Sequence, residues 1–322
     1  MQYLVRHLTR FVYTSSVCES VMEVRMQPLE RPGQQCLRFN VSSSPRAKIF
    51  AYRDHFGNAV HYFDIPGHHT RLEISVESAV TLAAPPARPE RLPDQAWADV
   101  DSLIDGAEFT DWLAPSFFAH DTAALHEFSK ALGLDRRHDP LTTVRLLNSS
   151  IHDQFAYEPK TTRADSPIDE ALRARAGVCQ DFAHIMTALL RGLGIPTRYI
   201  SGYIAPRASE HDRSADNHTH AWIEAYLPSI GWVGVDPTNK TFAGDRHIAV
   251  GIGRDYADVP PTRGVFKGDA GSELSVAVAV TSTHATIEAR ELAPSVSWIV
   301  PPRATSSDLH DLHHQQQQQQ QQ

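Results

Sequence analysis

At 322 residues with 41% hydrophobic side chains, the chain is long for a single core and fits two domains. Its net charge of −8, with no block of Lys or Arg, argues against nucleic acid or an anionic membrane leaflet as partner. Three cysteines, Cys18, Cys36 and Cys179, are too few and too widely spaced for a disulfide framework or paired Cys-x-x-Cys metal knuckles, and no stretch approaches the ~18 apolar residues of a membrane span.

The opening MQYLVRHLTRFVYTSSV has no uninterrupted apolar core, so a signal peptide is not expected and cytoplasmic residence is the default. From residue 8 to 80 the pattern is β. Runs 21–26, 36–41 and 72–76 alternate, and Gly33, Asp54, Gly57, Asn58 and Gly67 punctuate them, with Gly57-Asn58 as a hairpin turn. Short strands without a helical stretch read as a small β-sandwich, in which Cys18 and Cys36 are half-buried strand residues. Residues 83–93, AAPPARPERLP, form a linker, because proline disfavours both helix interiors and ladders.

Helical patterns follow at 122–133 and 142–155, and a third runs from Phe182 to Leu193 with Phe182, Ile185, Met186, Leu189 and Leu190 as its core face. Strands come next. Residues 221–227 alternate, placing Ile223, Ala225 and Leu227 on one face and His220, Trp222, Glu224 and Tyr226 on the other. Residues 228–231 turn the chain into a second short strand that Pro237 stops. Pairing symmetric about that turn would set His220 opposite Asn239, so bringing Asp236 beside His220 requires a turn centred nearer Pro228 or a bulge. Helices followed by an antiparallel sheet make this part α+β. One more strand is expected at 274–280, and the chain ends in His313-His314 and a glutamine run from Gln315, a low-complexity tail expected to be disordered.

The chemistry concentrates on three of these positions. Cys179 opens the third helix, where free N–H groups and the positive end of the dipole stabilise a thiolate. A thiolate attacks acyl carbon; a histidine takes its proton and later protonates the leaving amine; a carboxylate fixes the imidazole tautomer. His220 and Asp236 are the residues placed to serve as that base and its orienter. Eighteen histidines also raise a metal site, with His218 and His220 on one strand face, but no third ligand stands at ligand spacing and no metal is expected; His218 reads as a solvated loop residue beside the site. Asp181 complements the positive helix end. Arg254, between acidic residues, pins its segment as an ion pair, or else Arg254 or Tyr256 lines the substrate cleft. Trp222 shares the His220 face and could border the substrate.

The phrases GVCQDFAH, LRGLGIPTRYISGYI, HTHAWIEAYLPSIGWVGVDPTN and GRDYADVPPTRG resemble the bacterial transglutaminase-like proteins of the papain-like cysteine-enzyme superfamily. The resemblance is close from about residue 141 to 266, and the first eighty residues resemble the N-terminal β domain that accompanies this core. It implies an N-terminal β-sandwich-like domain over 1–82, a linker over 83–100, a papain-like α+β catalytic domain over 101–282 and a tail over 283–322. It also implies Cys179, His220 and Asp236 as the catalytic residues, no cofactor, and a protein or peptide substrate. The expected function is thioester-forming acyl transfer or hydrolysis at amide bonds. The alternatives are a peptidase or amidase of the same superfamily, and a non-catalytic binding module built on the same fold.

Overall fold

Inward-facing Tyr3, Val5, His7 and Thr9 alternate with outward residues from the second position onward, and this alternation carries the chain into an unusually long strand, β1 (Gln2–Val24). The computed structural model describes residues 1–104, 106–206, 212–213, 218–283 and 297–298. After β1 come β2 (Gln34–Ser44), β3 (Phe50–Arg53) and β4 (Ala59–Leu82), then α1 (Ala96–Leu103), α2 (Thr110–Leu113), α3 (Ala123–Ala131), α4 (Pro140–Gln154), β5 (Ala156–Tyr157), α5 (Ile168–Ala174) and β6 (Ala176–Gly177). The central helix α6 (Cys179–Gly192) leads into β7 (Thr197–Ile204), β8 (His220–Leu227), β9 (Gly231–Asp236), β10 (Thr241–Phe242) and β11 (His247–Gly253), and the last described strands are β12 (Thr262–Lys267), β13 (Ser272–Thr283) and β14 (Ser297–Trp298).

Residues 1–82 fold as β structure, but not as a series of short strands. β1 and β4 have 23 and 24 residues and pair antiparallel along their length, with register irregularities between Val12 and Glu19. The hairpin at Gly57-Asn58 is present: Arg53 pairs with Ala59, Gly57 takes φ +81°, and the Asp54 carboxylate accepts the backbone N–H groups of Phe56 and Asn58. Cys18 and Cys36 are half-buried residues of β1 and β2.

Strand pairing runs across the expected boundary. β12 and β13 return from the far end of the chain to pair with β1, so the seven-stranded sheet, ordered β12-β1-β4-β3-β14 with β13 also on β1 and β2 on β4, is built from residues on both sides of the 82/83 division. Alternation predicts a strand but not its partner, and the partner here lies some 250 residues away. The stretch beyond Thr283 assigned to a low-complexity tail lies outside the described residues, apart from the two-residue β14.

In the other unit, Thr122 and Asp139 accept backbone N–H bonds at the starts of α3 and α4, and Pro140 occupies the first turn of α4. These helices and α5 enclose α6 on one side, while the antiparallel sheet β10-β9-β8-β7-β11 closes the other. Phe182, Ile185, Met186, Leu189 and Leu190 pack with Ile223, Ala225, Leu227, Val233 and Val235 in one core. Truncating any of the larger ones to Ala would cost about 2–5 kcal/mol. The opposite face of β8 is covered by the N-terminal unit: Trp222 packs with Leu29, and Arg31 bridges to Glu224 at 2.5 Å. At the far end of α6 the buried Arg191 guanidinium donates to the carbonyls of Ala114, Thr197 and Arg254. No helix among the described residues is long and apolar enough to cross a membrane.

Burial sets a pH signature. His7, His61 and His184 are buried, and desolvation pushes each imidazole down to about 4 from its ordinary 6.5, aided at His61 by the charge of Arg53. In the unfolded chain they protonate as pH falls through 6.5, so stability falls between pH 6.5 and 4 by up to about 3 kcal/mol for each of them. His220 has the opposite sign. Its raised folded pKa, about 10, supplies stability that is complete below pH 6.5 and lost as pH climbs towards 10. Urea midpoints are therefore expected to peak near pH 6.5–7.5 and fall on both sides; a midpoint constant from pH 4.5 to 7 would contradict the acid limb.

Candidate active site

The start of α6 is fixed from behind. Val178 is extended, and its N–H is accepted by the Asp181 carboxylate at 2.8 Å, one half of a capping box, while the Thr162 hydroxyl donates to the same oxygen at 2.6 Å. A Cβ on Gly177 would stand 2.6 Å from that oxygen, so glycine is required there by close approach. Gln180 adds a bond from its side-chain amide to the Ala164 carbonyl at 2.8 Å. Asp181 thus serves the local backbone, and burial raises its pKa despite these donors. Cys179, half-buried, is the first helical residue. Asp181→Ala is expected to cost about 1–3 kcal/mol, through loss of the cap and the buried Thr162 bond, and to slow alkylation of Cys179. Unchanged melting and alkylation would remove Asp181 from this role.

The register question resolves through a short turn. Leu227 pairs with Gly231 and Ile223 with Val235, so only residues 228–230 form the loop, with Ser229 at φ +69° and Gly231 at φ +72°. Asp236 then lies diagonally from His220 on the same face, within side-chain reach. His220 Nε2 and Asp236 Oδ2 are 2.8 Å apart, and both residues are buried. Asp236 Oδ1 accepts the N–H groups of Thr238 and Asn239, and Oδ2 also accepts from Asn239 Nδ2 at 2.7 Å and His247 Nε2 at 3.2 Å.

Burial opposes charge on both partners, but each answers the other. Desolvation alone would lower His220, yet the Asp236 charge and hydrogen bond, joined by Cys179, raise it to about 10. Desolvation would raise Asp236, yet His220 and His247 hold it well below the carboxylate range. The pair is therefore imidazolium and carboxylate at neutral pH. With Nε2 committed to Asp236, the buried Nδ1 has no hydrogen-bond partner, and Cys179 is among the groups that raise the ring's pKa.

Trp222 is buried on the face of β8 that turns towards the N-terminal unit. It is 1% exposed, and its indole spans the sheet because Gly202 and Gly234 on the flanking strands leave room for it. His218 is exposed, two residues before the buried His220, as a solvated loop residue would be. His184 stacks on Phe118 with ring centroids 5.2 Å apart and accepts the Tyr256 N–H, so it is a neutral pin for that segment. Arg254 makes a two-bond ion pair with Asp258.

His247, which sequence reasoning missed, completes a group with His220 and Asp236 whose ligand atoms lie within 4.8 Å of one another. That spacing would suit a cation. However, His247 Nδ1 accepts the Gly244 N–H, which makes Nε2 the proton-bearing nitrogen and a donor to Asp236 rather than a metal ligand. No sequence pattern marks His247: it lies on a different strand, and only the β7–β11 pairing brings it near.

Residues 131–237 match the transglutaminase-like superfamily, and residues 3–81 match the bacterial transglutaminase-like N-terminal region. An uncharacterized protein of Mycobacterium leprae is 32% identical over 278 residues, covering 86% of this chain and 97% of that protein. The chain belongs to the bacterial transglutaminase-like family. A candidate cysteine protease of Cytophaga hutchinsonii, 20% identical, shares the fold of this family member with a TM-score of 0.66 over 89% of this chain and 92% of that one. A protein-glutamine gamma-glutamyltransferase of Pseudomonas aeruginosa is 37% identical over 98 residues, only 29% of this chain and 15% of that protein. The transglutaminase-like core thus contains Cys179, His220 and Asp236, whereas His247 lies beyond the matched segment.

Proposed function

We propose that this transglutaminase-like protein is a cysteine acyl enzyme acting on amide bonds of a protein or peptide. The observation that carries the reading is the Asp236–His220 ion pair, held at 2.8 Å, with the other imidazole nitrogen buried without a partner, alongside a cysteine that starts α6. In the first step the Cys179 thiolate attacks the amide carbon, a C–S bond forms, the C–N bond breaks and the amine leaves with the proton of the His220 imidazolium. In the second, neutral His220 takes a proton from water or an incoming amine, the new bond to carbon forms and the thiolate returns. Capture by an amine is transglutamination of a glutamine carboxamide; capture by water is amidase or peptidase action. The transfer reading is supported by the matched family, and hydrolysis is the second reading within the same chemistry. Three free cysteines suit a reducing cytoplasm as its compartment, to be tested by fractionation.

Mass spectrometry of a glutamine-containing peptide incubated with the protein and a primary amine separates the outcomes. An amine adduct marks transfer, a gain of about one dalton marks deamidation by water, and backbone cleavage marks a peptidase. A non-catalytic module is separated by iodoacetamide. The enzyme reading expects alkylation of Cys179 to remain fast at pH 6–7 and to fall about tenfold in His220→Ala; alkylation indifferent to His220 would sink it.

A further inference from the structure

A groove of about 870 Å³ runs between the two units, and one of its walls is a strand edge. β12 ends the sheet: it pairs with β1 on one side and, among the described residues, with no strand on the other. Five successive residues, 262–266, line the groove. Side chains of a strand alternate between faces, so a cavity bordered by successive residues of β12, and by Phe11, Tyr13 and Met22 of β1 behind it, covers both the sheet face and the free edge, and along that edge backbone N–H and C=O groups are offered. The complement of such a row is an extended polypeptide.

Three further observations bear on the occupant. Phe117 and Leu274, 54% and 50% exposed, stand on the groove as apolar anchors. Its charged lining is balanced, Arg163 and Arg263 against Asp165 and Glu273, which favours recognition through backbone and apolar side chains over a polyanion. Its inner wall is tied to the start of α6: Ala164 lines the groove, and its carbonyl accepts the side-chain bond of Gln180, the residue after Cys179.

We infer that the acyl-donor substrate binds as an extended segment added to the free edge of β12, with apolar side chains against Phe117 and Leu274 and the target amide passing Ala164 to Cys179. The six residues of β12 give an edge of roughly 20 Å. The chemical part of this inference rests on the acyl-enzyme reading; the docking part does not.

The test uses full-length Cys179→Ala protein and fluorescent peptides, read by anisotropy. One peptide is an octamer with apolar residues at alternate positions around a glutamine, a second is its central tripeptide, and a third is the octamer N-methylated at alternate backbone nitrogens. The octamer is expected to bind at least about tenfold more tightly than the tripeptide and the N-methylated octamer, and Phe117→Ser and Leu274→Ser, both at exposed positions, to weaken it about tenfold. The methylated peptide leaves the protein untouched, so it decides the matter even if a variant folds poorly. Binding insensitive to methylation and to both substitutions, or no binding, overturns the docking proposal. Docking as expected, with no adduct, deamidation or cleavage by the native protein, leaves the groove assignment standing and rejects the acyl-enzyme reading. Turnover without sensitivity to backbone methylation does the reverse.

Discussion

Cys179→Ala is expected to abolish amide turnover, by at least about 10⁴-fold, with the melting temperature within about 2 °C of the native protein. The side chain is small, half-buried and at the edge of the core, so its loss leaves almost no cavity. His220→Ala should be nearly as damaging to turnover, because base, acid and thiolate partner disappear together. Asp236→Asn has a sharper rationale. The native carboxylate accepts N–H bonds on both oxygens, including those of His220, His247 and Asn239 on Oδ2, and an amide NH₂ at either position would face donors. The His220 ring would have to change tautomer or turn away, lowering turnover by about 10²–10⁴-fold. Native-like turnover in His220→Ala or Asp236→Asn would dismiss the triad, and loss of cooperative unfolding in Cys179→Ala would make the cysteine structural.

Gly202→Ala should be among the most destabilising single substitutions in the β7–β11 sheet, costing about 3 kcal/mol or more. Its Cβ would collide with the Ile248 carbonyl oxygen of the neighbouring strand and stand 2.7 Å from Cη2 of Trp222. Backbone cannot yield as a flexible side chain can, and Trp222 is enclosed among Leu29, Ile200 and Ala249. The displaced indole would press on its neighbours His220 and His247, whose ring centroids lie 6.0 and 5.2 Å away, so turnover should fall along with stability. Chemical denaturation together with alkylation of Cys179 checks both parts; a variant as stable as the native protein would show that the sheet yields more easily than its packing implies.

The legibility of this site follows from the range of the interactions involved. The helix beginning at Cys179 and the alternation that places His220 on β8 are local and could be read directly. The turn could not, because its short form depends on Ser229 adopting a positive φ, which serine does not advertise as glycine would. His247 and the pairing of β12 with β1 are tertiary facts with no local signature. The long β1 and β4 hid behind residues that look like turn formers; Gly67 sits inside β4 at φ +133°. Trp222 and His220 alternate onto one face of β8, a local pattern, but the N-terminal residues that cover that face come from across the sequence.

The return of β12 and β13 to β1 also orders events during synthesis. At roughly 5–20 residues per second, the far edge of β1 waits about 15–50 s for the strands that will close it. For that interval a long row of unpaired amide groups is presented to other nascent chains, a template for association in the wrong register. Loop closure over such a separation also places the completion of this sheet late and slow on the folding pathway. Expression yield should therefore respond more to holdase chaperones and to translation speed than the stability of the finished protein would suggest, and a fragment ending before Thr262 should aggregate rather than fold as an independent β unit.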